Sequence, residues 1–383
     1  MSDRISRGIR LLPVGVTPDD DQIAAIAGVL DDPGFALLPV APDDRGRLPS
    51  GLHGRALPTD APVVLAVATT GSTGTPKIVL HTRDSLVASA VATDERIGGP
   101  GQWVLALAAH HIAGIQVVLR SALAGTTPVR CPAGGPGFAT AFEAATRALT
   151  AERRYVSLVP LQLARLLDEA AGRAGLDRID VVLLGGAAAD PALLARAADA
   201  GVRVVTTYGS SETSGGCVYD GVPLRGVDVR VGADSVISLA GPVIAHGYLL
   251  DDGLHELGGV FTTSDLGELA DGRLRVLGRA DDVIVTGGKK VAPPVVEAAI
   301  RALPGVADVI VVGTPHLRWG SAVSALVVGR RRSLTDLRTE LADVLAGHEI
   351  PQRLEFIDVL PTIGIGKPDR AAAARLIAGE PAG

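Results

Sequence analysis

Nine consecutive residues, Thr69-Thr-Gly-Ser-Thr-Gly-Thr-Pro-Lys77, set two glycines three apart among hydroxyls and close on a lysine. Gly71 and Gly74 let the backbone bend tightly and bring its N–H groups to an anion, while Thr69, Thr70, Ser72, Thr73 and Lys77 add side-chain donors. Such a stretch can cradle a polyphosphate. It is not a Walker A loop, because the residue five after Gly71 is Pro76 and no Ser or Thr follows Lys77. Surface turns draw on the same small polar residues, so the meaning of the loop depends on its company. The segment Tyr208-Gly-Ser-Ser-Glu-Thr-Ser-Gly-Gly216 offers a ring able to stack on a base, hydroxyls such as Ser211 for a phosphate, and Glu212 as an oxygen ligand for Mg2+. Asp265 is suited to accept from ribose hydroxyls, and Gly278-Arg-Ala-Asp-Asp282 supplies Arg279 beside two acids. Lys367 lies between Gly366 and Pro368. Read singly, each of these is more often a solvated turn or a surface ion pair.

Elements must hold these residues in place. The phosphate-type loop follows Val63 to Ala68, an apolar β-branched run that reads as a buried strand. From there strands and helices alternate: helix Arg83 to Thr93, strand Val104 to Ala108, helix Ile112 to Ala124, and strand Pro128 to Cys131. The pattern continues with helix Ala139 to Thr150, strand Tyr155 to Val159, helix Leu161 to Ala171 and strand Val181 to Leu184. Asp190 can cap the next helix, Pro191 fits its first turn and Gly201 its end, before the strand Val202 to Thr207. Such alternation implies a parallel sheet, whose ligands sit at the carboxyl ends of the strands, where both polar loops fall. Residues 1 to about 60, rich in Asp, Pro and Gly, read as a lead-in packed on the edge of the first domain.

After Gly221 short runs with turn signals suggest a small antiparallel subdomain, and the last hundred residues carry enough apolar positions for an α+β core of their own. The expected organisation is therefore α/β: a large domain of parallel-rich sheets over 1–278, a hinge at 279–281, and a small mobile domain over 282–383.

Composition narrows the partners. The chain has 383 residues, and its 47% hydrophobic content is enough for a sizeable core. With aromatics at only 3%, that core must rely on Val, Leu, Ile and Ala, which suits buried parallel strands covered by helices. Thirty-six basic against 42 acidic residues give a net charge of −6 without a basic block, which argues against nucleic acid. Cys131 and Cys217 are far apart and lack metal-type spacing. No stretch reaches the roughly 18 apolar residues of a membrane span, so the expectation is a soluble, cytoplasmic protein without membrane insertion.

Taken in order, the segments resemble the adenylate-forming superfamily of acyl-CoA synthetases, adenylation domains and luciferases, from about Val63 to Arg370. The motifs that carry the resemblance are Thr69–Lys77, Tyr208-Gly-x-Ser-Glu212, Asp265, Gly278-Arg-x-Asp-Asp-x-Ile284 with Gly287-Gly288, and Gly366-Lys367-x-x-Arg370. Thr70, Ser211 and Ser264 replace the more usual Ser, Thr and Gly. The resemblance implies ATP, Mg2+ and CoA as ligands. It implies that Thr69–Lys77 closes over the phosphates, Tyr208 stacks on adenine, Glu212 binds Mg2+, and Asp265 with Arg279 holds the ribose. Asp281 would be the hinge, Gly287-Gly288 would line a thiol channel, and Lys367 would reach the reacting carboxylate and α-phosphate. On the acid side, His110-His111-x-x-Gly114 and Ser214–Gly221 look like the branch that activates o-succinylbenzoate, with His111 counted among the catalytic candidates. The second carboxylate of that acid has three candidate partners, His110, His111 and Arg154. Another aromatic or medium-chain acid, or loading of a carrier protein, remains open at this point, as does a homodimer.

Overall fold

The computed structural model describes residues 7–15, 17–48, 51–69, 77–363 and 367–379. Thr70, Gly71, Ser72, Thr73 and Gly74 of the phosphate-type loop, and Gly364 to Gly366, lie outside the described residues. Contacts divide the chain into two compact units, Met1–Arg230 with Ser238–Thr262 and Gly272–Leu274, and Val231–Ile237 with Thr263–Asp271 and Arg275–Gly383. Among the described residues no helix is long and apolar enough to cross a membrane.

The first unit holds two large sheets. One is six-stranded, in the spatial order Ile9–Pro13, Ala36–Val40, Val63–Thr69, Lys77–Thr82, Gly247–Leu250 and Gly253–Glu256. Its first three strands are parallel, and Ala36–Val40 is buried at every position, as expected of a strand covered on both faces. The lead-in is thus no edge packing: it supplies two strands of the sheet itself. Val63–Thr69 pairs antiparallel with the next strand in sequence, Lys77–Thr82, with Thr69 opposite Lys77. Period-two alternation sorts the side chains of these strands. Leu65 and Val67 join a core with Leu86, Trp103 and Ile115, while Ala66, Ile78, Leu80 and Leu249 join another with Leu38 and Leu52.

The second sheet runs in the order Val222–Pro223, Gly215–Tyr219, Val204–Ser210, Val181–Leu184, Arg154–Leu158, Gln102–Leu105 and Val129–Arg130. The five strands from Val204–Ser210 onward are parallel and are joined by helices, as the alternating pattern predicts. Asp190 does cap the helix Pro191–Asp199, accepting from Ala192 N at 2.8 Å. The expected helix Leu161 to Ala171 is instead two, Pro160–Asp168 and Ala170–Leu176, broken where Glu169 turns extended at φ −107°. A further antiparallel neighbour, Gly215–Tyr219, folds back on Val204–Ser210, so the polar loop 211–214 is a hairpin connection rather than a strand-to-helix turn.

Four strands, Asp228–Val231, Val236–Ala240, Val260–Ala270 and Arg273–Arg279, form a separate sheet. In the second unit Gly320–Gly329 pairs with Val306–His316 and with Arg353–Phe356, and the helices Pro293–Arg301 and Leu334–Leu341 pack on this sheet. Its hairpin Ile284–Thr286 to Lys289–Val291 turns on Gly287 and Gly288, at φ 55° and 78°. A two-residue hairpin turn of this hand needs positive φ at both positions, which accounts for the pair of glycines.

Candidate active site

Tyr248 is the residue that gathers the first part of the site. It stands opposite Val79 on the neighbouring strand, two residues from Lys77 and therefore on the same face. Lys77 Nζ lies 5.5 Å from the centre of its ring, and its hydroxyl donates to Glu212 Oε1 at 2.9 Å. One phenol thus bridges a cation and a carboxylate carried by two different sheets. Burial, reinforced by the charge of Glu212, pushes the Tyr248 hydroxyl upward from its ordinary range, so it remains a donor at any working pH. Thr69 Oγ1 donates to the Lys77 carbonyl at 3.2 Å and holds the two ends of the loop together.

Glu212 sits on the short 3-10 turn Ser211–Thr213, whose backbone is fixed from several sides. Thr213 Oγ1 donates to the Gly215 carbonyl at 2.6 Å and accepts from Ser210 N at 2.8 Å, while Ala245 N donates to the Glu212 carbonyl at 2.8 Å. Tyr208, half-buried, lies inside the strand Val204–Ser210 opposite Val218. Gly185, which follows the next parallel strand, faces Thr207: a Cβ there would come 2.3 Å from Thr207 Oγ1. The absence of a side chain at Gly185 is therefore used by the protein's own packing.

His110 and His111 follow the carboxyl end of Gln102–Leu105, and their rings lie 4.3 Å apart. His111 caps the helix Ile112–Leu123 through its backbone, with its carbonyl accepting from Ile115 N at 3.0 Å. Gly114 explains the spacing, since a Cβ there would stand 2.3 Å from the Ala108 carbonyl oxygen. The helix passes that close to the strand end only because position 114 is bare. Burial lowers the His110 pKa from its ordinary value, opposed by the charge of Asp44. Arg154 is placed differently. It pairs in register with Gln102 at the amino ends of these parallel strands, and its Nε donates to the Ala151 carbonyl at 3.0 Å. At about 3.3 Å per residue, the length of a strand separates it from His110 and His111.

In the second unit Arg279 Nη1 stands 4.0 Å from Asp265 Oδ1, and Nη2 stands 3.3 Å from Asp281 Oδ2. Asp265 N donates to Thr263 Oγ1 at 2.9 Å, which in turn donates to the Ile237 carbonyl. Lys367 opens the two-residue strand Lys367–Pro368, paired with Thr362–Ile363. Three residues on, Arg370 is bound by Glu297 at 2.5 Å, Asp282 at 3.0 Å and the Val311 carbonyl at 2.7 Å.

Among the described residues no three His, Cys, Asp or Glu side chains gather into a metal cage. Glu212 is a lone carboxylate with one oxygen engaged by Tyr248, which fits Mg2+ bound by a single carboxylate with phosphate oxygens and water completing its shell. His81, Ser89 and Gln116, which brace the residue after this turn, belong to no motif in the sequence. The one available signal is a histidine at the two-residue period of the strand face that begins at Lys77, on a strand whose interior Ile78-Val-Leu80 is apolar.

A family model described as AMP-binding enzyme matches residues 55–270, and its C-terminal domain model matches 295–367. A probable 2-succinylbenzoate–CoA ligase of Mycobacterium tuberculosis is 46% identical over 84% of this chain and 86% of its own length. A feruloyl-CoA synthase of Amycolatopsis is 31% identical, covering 86% of this chain and 71% of that one. The solved structure of o-succinylbenzoate CoA synthetase (MenE) from Bacillus subtilis, in complex with the acyl-adenylate intermediate OSB-AMP, superposes with a TM-score of 0.75 at 23% identity. It covers 97% of this chain and 89% of that one, and it agrees with the architecture described above. Sequence order, fold and two consecutive domain matches coincide, and this chain belongs to the AMP-binding enzyme family.

Proposed function

We propose that the protein is an AMP-forming acid–CoA ligase that adenylates o-succinylbenzoate and passes the acyl group to CoA, a step of menaquinone biosynthesis. The observation that carries this reading is the pairing of Lys77 and Glu212 across the Tyr248 ring, which holds a cation and a carboxylate together at the end of the polyphosphate-type loop. The choice of acid is supported by the identity to the mycobacterial ligase.

In the first step a carboxylate oxygen of the acid attacks the α-phosphorus of ATP, and the bond to pyrophosphate breaks. Both reactants are anions, so the site must neutralise charge as the new bond forms. Thr69–Lys77 would hold the departing pyrophosphate, Tyr208 would stack on adenine, Ser211 would donate to a phosphate, and Asp265 with Arg279 would hold the ribose. Glu212 would hold Mg2+, which supplies charge neutralisation at the phosphate oxygens. Lys367 is assigned the reacting carboxylate and α-phosphate. A swing at 279–281, between 1–278 and 282–383, would then withdraw Lys367 and bring Gly287-Gly288 to line the path of the thiol. The CoA sulfur attacks the acyl carbon, the acyl–phosphate bond breaks, and AMP leaves. For the second carboxylate, the geometry favours His110 and His111 over Arg154, because only the histidines stand at the carboxyl ends of the strands.

A second reading, a different ring-bearing acid, is favoured by the feruloyl-CoA synthase relative. A panel of acids assayed for pyrophosphate release, with mass spectrometry of the CoA thioester, separates the two. Lys367→Ala is expected to abolish adenylate formation while leaving ATP binding nearly intact; unchanged pyrophosphate release would sink the assignment.

A further inference from the structure

Glu212 and the turn that carries it are held at two points by residues that no motif includes, Tyr248 and His81. The first is the Tyr248 hydroxyl on Oε1. The second lies two residues along, at Ser214, which ends the turn in the left-handed region at φ 53°. A side-chain-bearing residue enters that region only when its surroundings hold it there. Here they do. Ser214 Oγ lies 3.2 Å from His81 Nδ1, and its carbonyl accepts from Ser89 Oγ at 2.9 Å and Gln116 Nε2 at 3.0 Å.

His81 and Tyr248 stand on one face of the paired strands Lys77–Thr82 and Gly247–Leu250, since His81 is two residues from Val79, the partner of Tyr248. Lys77 shares that face. His81 is fully buried, and its Nε2 finds no hydrogen-bond partner among the described residues. If the position served packing alone, an apolar side chain would fill it beside Leu65 and Val67 without leaving a buried polar atom unmatched. The imidazole is buried at a cost, and its one hydrogen bond among the described residues is with Ser214, at the end of the turn that carries Glu212.

We infer that Tyr248 and His81 are positioning residues of the adenylation site: Tyr248 selects which oxygen of Glu212 faces the metal and phosphates, and His81, through Ser214, fixes the turn from which Glu212 projects. The inference rests on the reading of Glu212 as the Mg2+ residue. The test compares wild type with Tyr248→Phe, His81→Leu and His81→Asn, the last keeping a polar atom near the place of Nδ1. Mn2+ binding in the presence of α,β-methylene-ATP is followed by electron paramagnetic resonance. The Mg2+ concentration for half-maximal pyrophosphate release and the rate of thioester formation from preformed acyl-adenylate are measured alongside.

Residues that orient a metal ligand typically contribute about 10–100-fold to affinity. Tyr248→Phe and His81→Leu should weaken Mn2+ binding and raise the Mg2+ requirement by about tenfold or more, leave thioester formation unchanged, and His81→Asn should recover most of the loss. Tyr248→Phe binding Mn2+ as tightly as wild type overturns the inference for Tyr248, and His81→Asn no better than His81→Leu overturns it for His81. A wild-type protein that binds no Mn2+ with the nucleotide analogue removes the underlying reading of Glu212 instead. Tyr248→Phe deletes a single oxygen, so the test does not depend on the folding of the His81 variants.

Discussion

Acid should unfold the first unit through His81. Burial lowers its pKa from 6.5 to about 3, so the folded protein holds it neutral while the unfolded chain protonates it near 6.5. Below pH 6.5 the unfolded state therefore binds the extra proton, and stability falls as pH falls through the window from 6.5 to about 3. Above 6.5 the contribution is complete and flat. Each unit inside the window costs about 1.4 kcal/mol, or about 3 kcal/mol between pH 6.5 and 4.5. The variant His81→Asn cannot titrate, and the other groups are shared, so the difference between the two stability–pH curves isolates this histidine. Trp103 is fully buried in the same core as Leu65 and Val67, and the only other tryptophan is Trp319 in the second unit. Urea unfolding read by fluorescence in a Trp319→Phe background thus reports the first unit alone. Parallel curves for wild type and His81→Asn from pH 7.5 to 4.5 would refute the burial argument.

Three further outcomes follow from the geometry. Gly114→Ala should cost about 1–3 kcal/mol through overpacking against the Ala108 carbonyl, and should raise KM for the acid but not for ATP, because the displaced residues are His110 and His111. Asp94 is raised to about 6 by burial, against the opposing charge of Arg120, and its Oδ1 has no partner among the described residues. Its ionised form is the destabilised one, so its contribution is complete below about pH 4 and lost as pH rises through 6. Asp94→Asn should accordingly stabilise at pH 7 by about 1 kcal/mol after discounting for partial exposure, and not at pH 4, in paired thermal melts. Arg370→Met leaves Glu297, which is 7% exposed, without its ion-pair partner. The expected loss is about 3–5 kcal/mol, seen as an early urea transition at Trp319; an unshifted transition would show the pair to be dispensable.

Local signals in the sequence were reliable where one residue does one job. The strand Val181–Leu184 and the Asp190-capped helix Pro191–Asp199 are set by a short apolar run and by cap chemistry, both of which act over a few residues. Pairing direction is not local. Nothing in Ile78-Val-Leu80 says that it returns antiparallel to Val63–Thr69, and Pro39 within Ala36–Val40 disguises a fully buried strand as lead-in. The candidate site divides in the same way. Lys77 and Glu212 stand in motifs, but Tyr248 and His81 acquire a role only once two strands 165 residues apart lie side by side. The preference for His110 and His111 over Arg154 likewise needed strand polarity, which the order of residues does not state.

The six-stranded sheet also sets a timetable for synthesis. Once the hairpin through Thr82 has left the ribosome, the outer edge of Lys77–Thr82 stays bare until Gly247–Leu250 arrives to pair with it. Translation proceeds at about 5–20 residues per second, so the growing chain carries an open, apolar strand edge for about ten seconds or more. Exposed edges of that kind recruit other chains. The late strand that covers it also brings Tyr248. The open-edge stage and the completion of the Glu212 turn therefore end together, and truncation anywhere before about residue 250 should yield aggregates rather than a partly competent enzyme.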